Sequence, residues 1–219
     1  AILPMEQFPI RGVIWYQGES NAHNIEAHEM LFPRLVRSWR DYWNDADMPF
    51  YYVQLSSLNR PSWPLFRDSQ RRLMNEIPNT GMAVCTDRGD SLDVHPTRKQ
   101  EVGERLARWA LNKTYGHHVI PSGPLYKSVV FNKNVAYVSF DYADGMKAAE
   151  EGAELKTFAV AGEDQLFYPA KAVVEGNRVK VWSDQVKEPK IVRYGWQPFT
   201  RANLVNGEGL PASTFRSDN

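Results

Sequence analysis

The sequence predicts an α/β fold: a parallel, doubly wound sheet with flanking helices, followed by an antiparallel β domain. Two observations carry this. Residues 1–118 alternate strand-like and helix-like segments, the pattern of a parallel sheet whose crossovers are helices. From about residue 119 the pattern changes to short runs of alternating apolar residues broken by the turn signals "FNKN", "AGED", "EGNR" and "GEG", as in an antiparallel sandwich. The expected division is therefore 1–118 and 119–219.

The first strand is "GVIWYQ". An amphipathic stretch follows in which Leu31, Leu35, Trp39 and Trp43 recur every four residues, with Pro33 placed in a first helical turn. "MPFYYVQL" reads as an aromatic-rich buried strand. The loop "SSLNRPSWP" then leads into a helix around Leu65 to Glu76, and "GMAVCTD" is a third strand. After the polar loop "DRGDSLDVHP", Thr97 and Gln100 fit a T-x-x-Q capping box, and Val102, Leu106, Trp109 and Ala110 make one helix face. Ligands of open parallel sheets bind outside the carboxyl ends of the strands. Both polar clusters, Gln17 to Asn21 and Asp87 to His95, fall there.

Composition excludes several classes. Of 219 residues, 26 are Lys or Arg and 26 are Asp or Glu, so no bulk positive field draws nucleic acid or anionic lipid. No apolar run approaches the ~20 residues of a membrane helix. The only cysteine, Cys85, sits in the apolar "MAVCT" and reads as core, and one cysteine makes no intrachain disulfide or cysteine zinc site. The chain opens almost directly on a buried strand, so a segment upstream is expected.

Five histidines are available. His23 and His28 stand five apart, off the i, i+4 spacing for a shared metal on a helix, and read as structural or surface residues. His117 and His118 read as linker residues. His95 has carboxylate company: Asp87, Asp90 and Asp93 precede it in one loop, and a carboxylate on one imidazole nitrogen leaves the other free to take a proton. The same loop reads equally as an exposed acidic turn before a helix, with Asp93 or Asp90 favouring its N-terminus. In "QGESN", Gly18 permits a tight turn, and the amides of Gln17 and Asn21 suit an oxyanion. Glu19 reads as a loop anchor. Ser20 lacks the second glycine of a nucleophile elbow. Trp15, Tyr16 and Trp63 read as core aromatics before they read as a sugar platform.

"GVIWYQGESNA", "LFPRLVRSWR", "DVHPTRKQEVGERLARWAL" and "RYGWQPFTRANLVNGEGLPASTFRSD" resemble the sialate O-acetylesterases, members of the SGNH (GDSL-like) hydrolase superfamily related to acetylxylan esterases. The resemblance covers essentially the whole chain. It implies a carboxylic ester hydrolase acting on acetylated sugars without metal or cofactor, in the periplasm, secreted, or in a lysosome or other lumen. It implies a partial SGNH-type sheet, because three strands fall two short of the family's five. The family's nucleophile block, G-Q-S-N, is absent here, so the resemblance implies that an upstream segment or chain donates the serine. Gln17, Gly18, Glu19 and Asn21 match the block of the oxyanion and substrate site; Asp93 and His95 match the block of the catalytic histidine and its acid. The wider superfamily uses Asp-x-x-His, and Leu92 stands at that position, which keeps Asp90 and Asp87 as alternatives. An acetylxylan esterase and a non-catalytic carbohydrate-binding remnant are the other readings.

Overall fold

Parallel strands β1 (Val13–Trp15), β2 (Phe50–Gln54) and β3 (Thr80–Val84) lie in the order β1-β2-β3, in a computed structural model that describes residues 2–5 and 7–218. Residues 1, 6 and 219, which the expected domain spans include, lie outside the described residues. Every residue of β2 is buried, as a central parallel strand covered on both faces requires. The covering helices are α1 (Ile25–Tyr42), α2 (Trp63–Glu76) and α3 (Gln100–Trp109). The two-residue period of β2 shows which helix covers which face. The Phe50 and Tyr52 rings meet Phe32 of α1 at 5.9 and 5.0 Å, and the Tyr52 hydroxyl donates to the Gln70 carbonyl of α2 at 2.6 Å. Tyr51, between them, meets Trp109 of α3 at 6.3 Å. Among the described residues no helix is long and apolar enough to cross a membrane.

Two local expectations are corrected. The buried spine of α1 is His28, Phe32, Val36 and Arg40; Leu31 is exposed, and Leu35, Trp39 and Trp43 flank the core half-buried. Both sets recur every fourth residue, so the repeat alone does not decide which one faces inward, and the stripe read from sequence lies one position away from the buried one. The helix also begins well before Pro33, at an Asn24 cap whose side chain accepts the Ala27 N–H at 3.0 Å, which puts Pro33 in the interior. The second correction concerns α3. Thr97 caps nothing: the chain turns between Thr97 and Lys99, the helix starts at Gln100, and the Gln100 amide reaches forward to Glu104 at 2.8 Å. A π-helical turn, Ala110–Thr114, extends it.

The remaining strands are β4 (Leu125–Asn132), β5 (Val135–Asp141), β6 (Lys147–Ala148), β7 (Phe158–Ala161), β8 (Tyr168–Pro169), β9 (Lys171–Glu175), β10 (Arg178–Trp182), β11 (Ile191–Tyr194), β12 (Leu204–Val205) and β13 (Phe215–Arg216). Antiparallel sheets β4-β5-β10-β9 and β13-β11-β7-β8 share one core, in which Val138 and Val179 of the first join Val160, Val192 and Phe215 of the second. The "FNKN" and "EGNR" signals close the β4–β5 and β9–β10 hairpins, with Lys133 and Gly176 at positive φ.

Arg67 of α2 joins the two parts. Fully buried, its guanidinium donates to the carbonyls of Gly195 (2.9 Å), Gln197 (2.6 Å) and Pro198 (2.9 Å). Burial pushes its pKa down to about 9, so the group stays charged at neutral pH.

Candidate active site

Because the three strands are parallel, the segments that leave them, 16–24, 55–62 and 85–99, emerge at one edge of the sheet. An apolar cluster gathers them. Ala22, Leu55, Leu58, Trp63 and Phe66 are buried together, with Tyr16, Ile25 and Val94 packed against them. Tyr16 and Ala22 flank the Gln17 to Asn21 turn, and Val94 separates Asp93 from His95. Each polar group thus rides on an apolar neighbour sunk in the same patch.

Gly18 turns the first segment at φ +151°, and a Cβ there would stand 2.7 Å from the Phe66 ring, so only glycine fits both the backbone and the space. Gln17, Glu19 and Asn21 are half-buried and Ser20 is exposed. The Asn21 N–H closes the turn onto the Gly18 carbonyl at 2.9 Å. The third segment presses against the second backbone to backbone: a Cβ on Gly89 would lie 2.0 Å from the Ser57 carbonyl oxygen. Ser57 Oγ donates to the Thr86 carbonyl at 2.7 Å and accepts the Thr200 N–H at 3.3 Å, tying both loops to the antiparallel unit. The Lys99 ammonium lies 4.5 Å from the centre of the Tyr16 ring, whose hydroxyl burial pushes up to about 12.

The three candidate acids have different partners. Asp87 makes a two-pronged pair with Arg105 at 2.6 and 2.8 Å, which fastens the loop to α3. Asp90 accepts the N–H groups of Leu92 (2.7 Å) and Asp93 (3.1 Å), and these bonds hold its carboxyl below the usual range. Asp93 Oδ1 accepts the His95 N–H at 2.8 Å and stands 3.4 Å from His95 Nδ1. Of the three, only Asp93 is placed beside the imidazole, which is 88% exposed. Among the described residues no hydroxyl hydrogen-bonds to the ring.

The other candidates from the sequence are accounted for by packing. Burial pushes the Cys85 thiol up to about 12, which leaves it protonated. His28 is 4% exposed between Phe32 and Phe66, and burial pushes it down to about 4. Trp63 is core, donating its indole N–H to the Ser56 carbonyl at 2.9 Å. A polar cleft of about 510 Å³ lined by Arg11, Asp47, Tyr51 and Lys113 lies at the amino ends of the strands and holds none of the candidate residues. Among the described residues no group of three His, Cys, Asp or Glu side chains is arranged to hold a metal ion. Sequence reasoning missed Ser57, Val94 and Lys99. The position of the 55–62 loop at the carboxyl end of the middle strand was the available signal for Ser57.

Fold and site define an α/β protein whose parallel sheet presents a carboxylate–imidazole pair and an amide-bearing glycine turn at its carboxyl edge. The profile of the carbohydrate esterase, sialic acid-specific acetylesterase family matches residues 3–112, and the chain belongs to that family. It is 31% identical to the sialate O-acetylesterase of Mus musculus over 183 residues, 73% of this chain and 34% of that protein. To the sialate O-acetylesterase of Rattus norvegicus it is 33% identical over 151 residues, 58% of this chain and 28% of that protein. A crystal structure of a carbohydrate acetylesterase from Xanthomonas citri superposes with a TM-score of 0.92 at 39% identity, covering 99% of this chain and 52% of that one. The chain therefore spans about a third of the length of these curated relatives and about half of that structure's chain.

Proposed function

We propose that the chain supplies the histidine, its acid and the oxyanion donors of a serine esterase that removes O-acetyl groups from sialic acid or related acetylated sugars. The observation that carries this reading is the Asp93–His95 pair, in which one carboxylate oxygen holds the histidine's backbone and stands beside its Nδ1. A carboxylate at Nδ1 favours the tautomer with the proton there and leaves Nε2 as the base. The nucleophilic serine is assigned to a further segment of polypeptide, consistent with the greater length of the relatives.

The steps follow from these roles. Nε2 of His95 takes the serine proton as the serine oxygen bonds to the acetyl carbon, and the amides of Gln17 and Asn21 donate to the oxyanion that forms. Gly18 lets the turn approach the carbonyl, and Glu19 holds the turn. The ester C–O bond then breaks, and the imidazolium returns the proton to the departing sugar hydroxyl. Water deprotonated by His95 then attacks the acetyl carbon, the bond from that carbon to the serine oxygen breaks as the imidazolium returns the proton to the serine, and acetate leaves. No step requires a metal or organic cofactor. A periplasmic, secreted or luminal setting is the one we infer for this activity.

The test is His95→Ala in the complete enzyme, assayed on p-nitrophenyl acetate and on O-acetylated sialic acid beside acetylated xylan. The expected loss is about a thousandfold or more with the fold retained. A loss below about tenfold would remove His95 from the mechanism.

A further inference from the structure

The three segments at the carboxyl edge of the parallel sheet are joined unevenly. The second and third are bonded through the Ser57 hydroxyl on the Thr86 carbonyl and through the Asn59 N–H, which donates to the Ser91 carbonyl at 3.2 Å. Among the described residues no hydrogen bond joins the first segment, which carries Gln17 and Asn21, to the third, which carries His95. Their one charged contact among those residues is the Lys99 ammonium, 4.5 Å from the centre of the Tyr16 ring. Strand β2 lies between the strands that lead into these two segments, so the contact spans the middle of the sheet edge.

Lys99 stands where a helix gains least from a lysine. It is the N-cap of α3, makes no side-chain capping bond, and follows another cation, Arg98. The partial positive charge of a helix N-terminus disfavours a cation, and serine, threonine, aspartate or asparagine caps better. Arg98 is paired with Glu101, whereas Lys99 forms no ion pair among the described residues. A residue that breaks a local rule belongs to a contact whose gain lies elsewhere. For Lys99 that contact is the Tyr16 face, where a cation meets the negative side of the ring quadrupole. The backbone beneath it is fixed: the Lys99 N–H donates to the Thr97 carbonyl at 3.0 Å, and its carbonyl accepts the Gly103 N–H at 3.1 Å in the first turn of α3.

We propose that Lys99 is a positioning residue for the esterase reaction: seated on Tyr16, it fixes the turn bearing the Gln17 and Asn21 amides relative to the imidazole of His95. Tyr16 is bonded directly to Gln17, and Lys99 follows His95 by four residues, so the contact sets the span between oxyanion donor and base through short lengths of chain. A displacement of about 1 Å at a reacting centre costs about a hundredfold in rate. Donors held in place before the reaction stabilise the developing charge without reorganising. The ammonium acts through Tyr16 and not on the substrate. This inference rests on the esterase reading, and its test is arranged to fail separately.

Lys99→Gln, Lys99→Met and Lys99→Arg are compared in the complete enzyme, beside His95→Ala, on p-nitrophenyl acetate and on O-acetylated sialic acid, with thermal midpoints followed by circular dichroism. Lys99→Gln and Lys99→Met keep a long side chain but lose its charge, and each should lower kcat about fivefold or more on both substrates with KM within about twofold. Lys99→Arg, which still seats a cation on the ring, should recover at least half of the wild-type kcat. The thermal midpoint of Lys99→Gln should equal or exceed that of wild type, because a cation leaves the helix N-terminus. A smaller loss of kcat in Lys99→Gln, or no recovery in Lys99→Arg, would overturn the proposal. So would a midpoint for Lys99→Gln lower by more than about 3 °C, which marks a contact that only holds the fold. A loss confined to O-acetylated sialic acid, or expressed in KM, would make Lys99 a contact to the sugar and overturn it equally. Any of these with His95→Ala inactive removes the role of Lys99 alone, whereas an active His95→Ala removes the esterase reading first.

Discussion

Arg67→Met tests what holds the two parts of the chain together. Methionine keeps much of the apolar volume but removes every donor, leaving the carbonyls of Gly195, Gln197 and Pro198 without the bonds of 2.9, 2.6 and 2.9 Å that now satisfy them. A buried acceptor stripped of its donor costs about 1–3 kcal/mol. Three such losses exceed what is recovered by no longer desolvating a guanidinium, and a net destabilisation of about 3 kcal/mol is expected. With a urea dependence near 3 kcal/mol per molar, suited to a chain of this size, the unfolding midpoint should fall by about 1 M. Tryptophan fluorescence and far-UV circular dichroism, followed together, show whether both parts still unfold at once. Arg67→Lys should fall between, because one ammonium cannot span three carbonyls. If Arg67→Met stayed within about 0.5 kcal/mol of wild type, the three bonds would not be what docks the 195–200 segment.

Two further outcomes separate neighbouring roles. Asp93→Asn should lower the esterase rate of the complete enzyme by orders of magnitude, whereas Asp87→Asn, which weakens the Arg105 pair, should cost less than about tenfold in kcat while lowering the thermal midpoint; the reverse ranking would transfer the acid to Asp87. His28 has a folded pKa of about 4 against 6.5 for the free group, so the unfolded chain takes up the proton first as pH falls. Stability is then intact above about pH 6.5 and declines toward pH 4, by about 2 kcal/mol between pH 7 and pH 5. His28→Phe should flatten that slope in urea titrations at the two pH values, and an unchanged slope would show that another group causes it.

Much of the fold was legible. Strand and helix patterns repeat over two or 3.6 residues, so β2 and the β4–β5 and β9–β10 hairpins follow from residues close in sequence. The start of α1 was less so. A stripe at every fourth position misplaces the buried face when aromatics also lie on its flank, and which side of Leu31 and Phe32 goes inward depends on the sheet below. The Asp93–His95 spacing was readable for a related reason: two residues suffice for a carboxylate to accept the N–H of the second residue, a bond made within a single turn.

What the sequence by itself determined, then, was the set of local shapes and the chemical groups at the ends of the strands. Only the tertiary structure gave Asp87, Asp90 and Asp93 their different partners, because the contact that engages Asp87 comes from Arg105, on a helix 18 positions away. It also turned His28 into a neutral core residue, and it brought Arg67 to carbonyls about 130 residues distant. Local hydrogen bonds and hydrophobic periods are written over a few residues, whereas burial and charge compensation depend on which distant segments meet when the core closes.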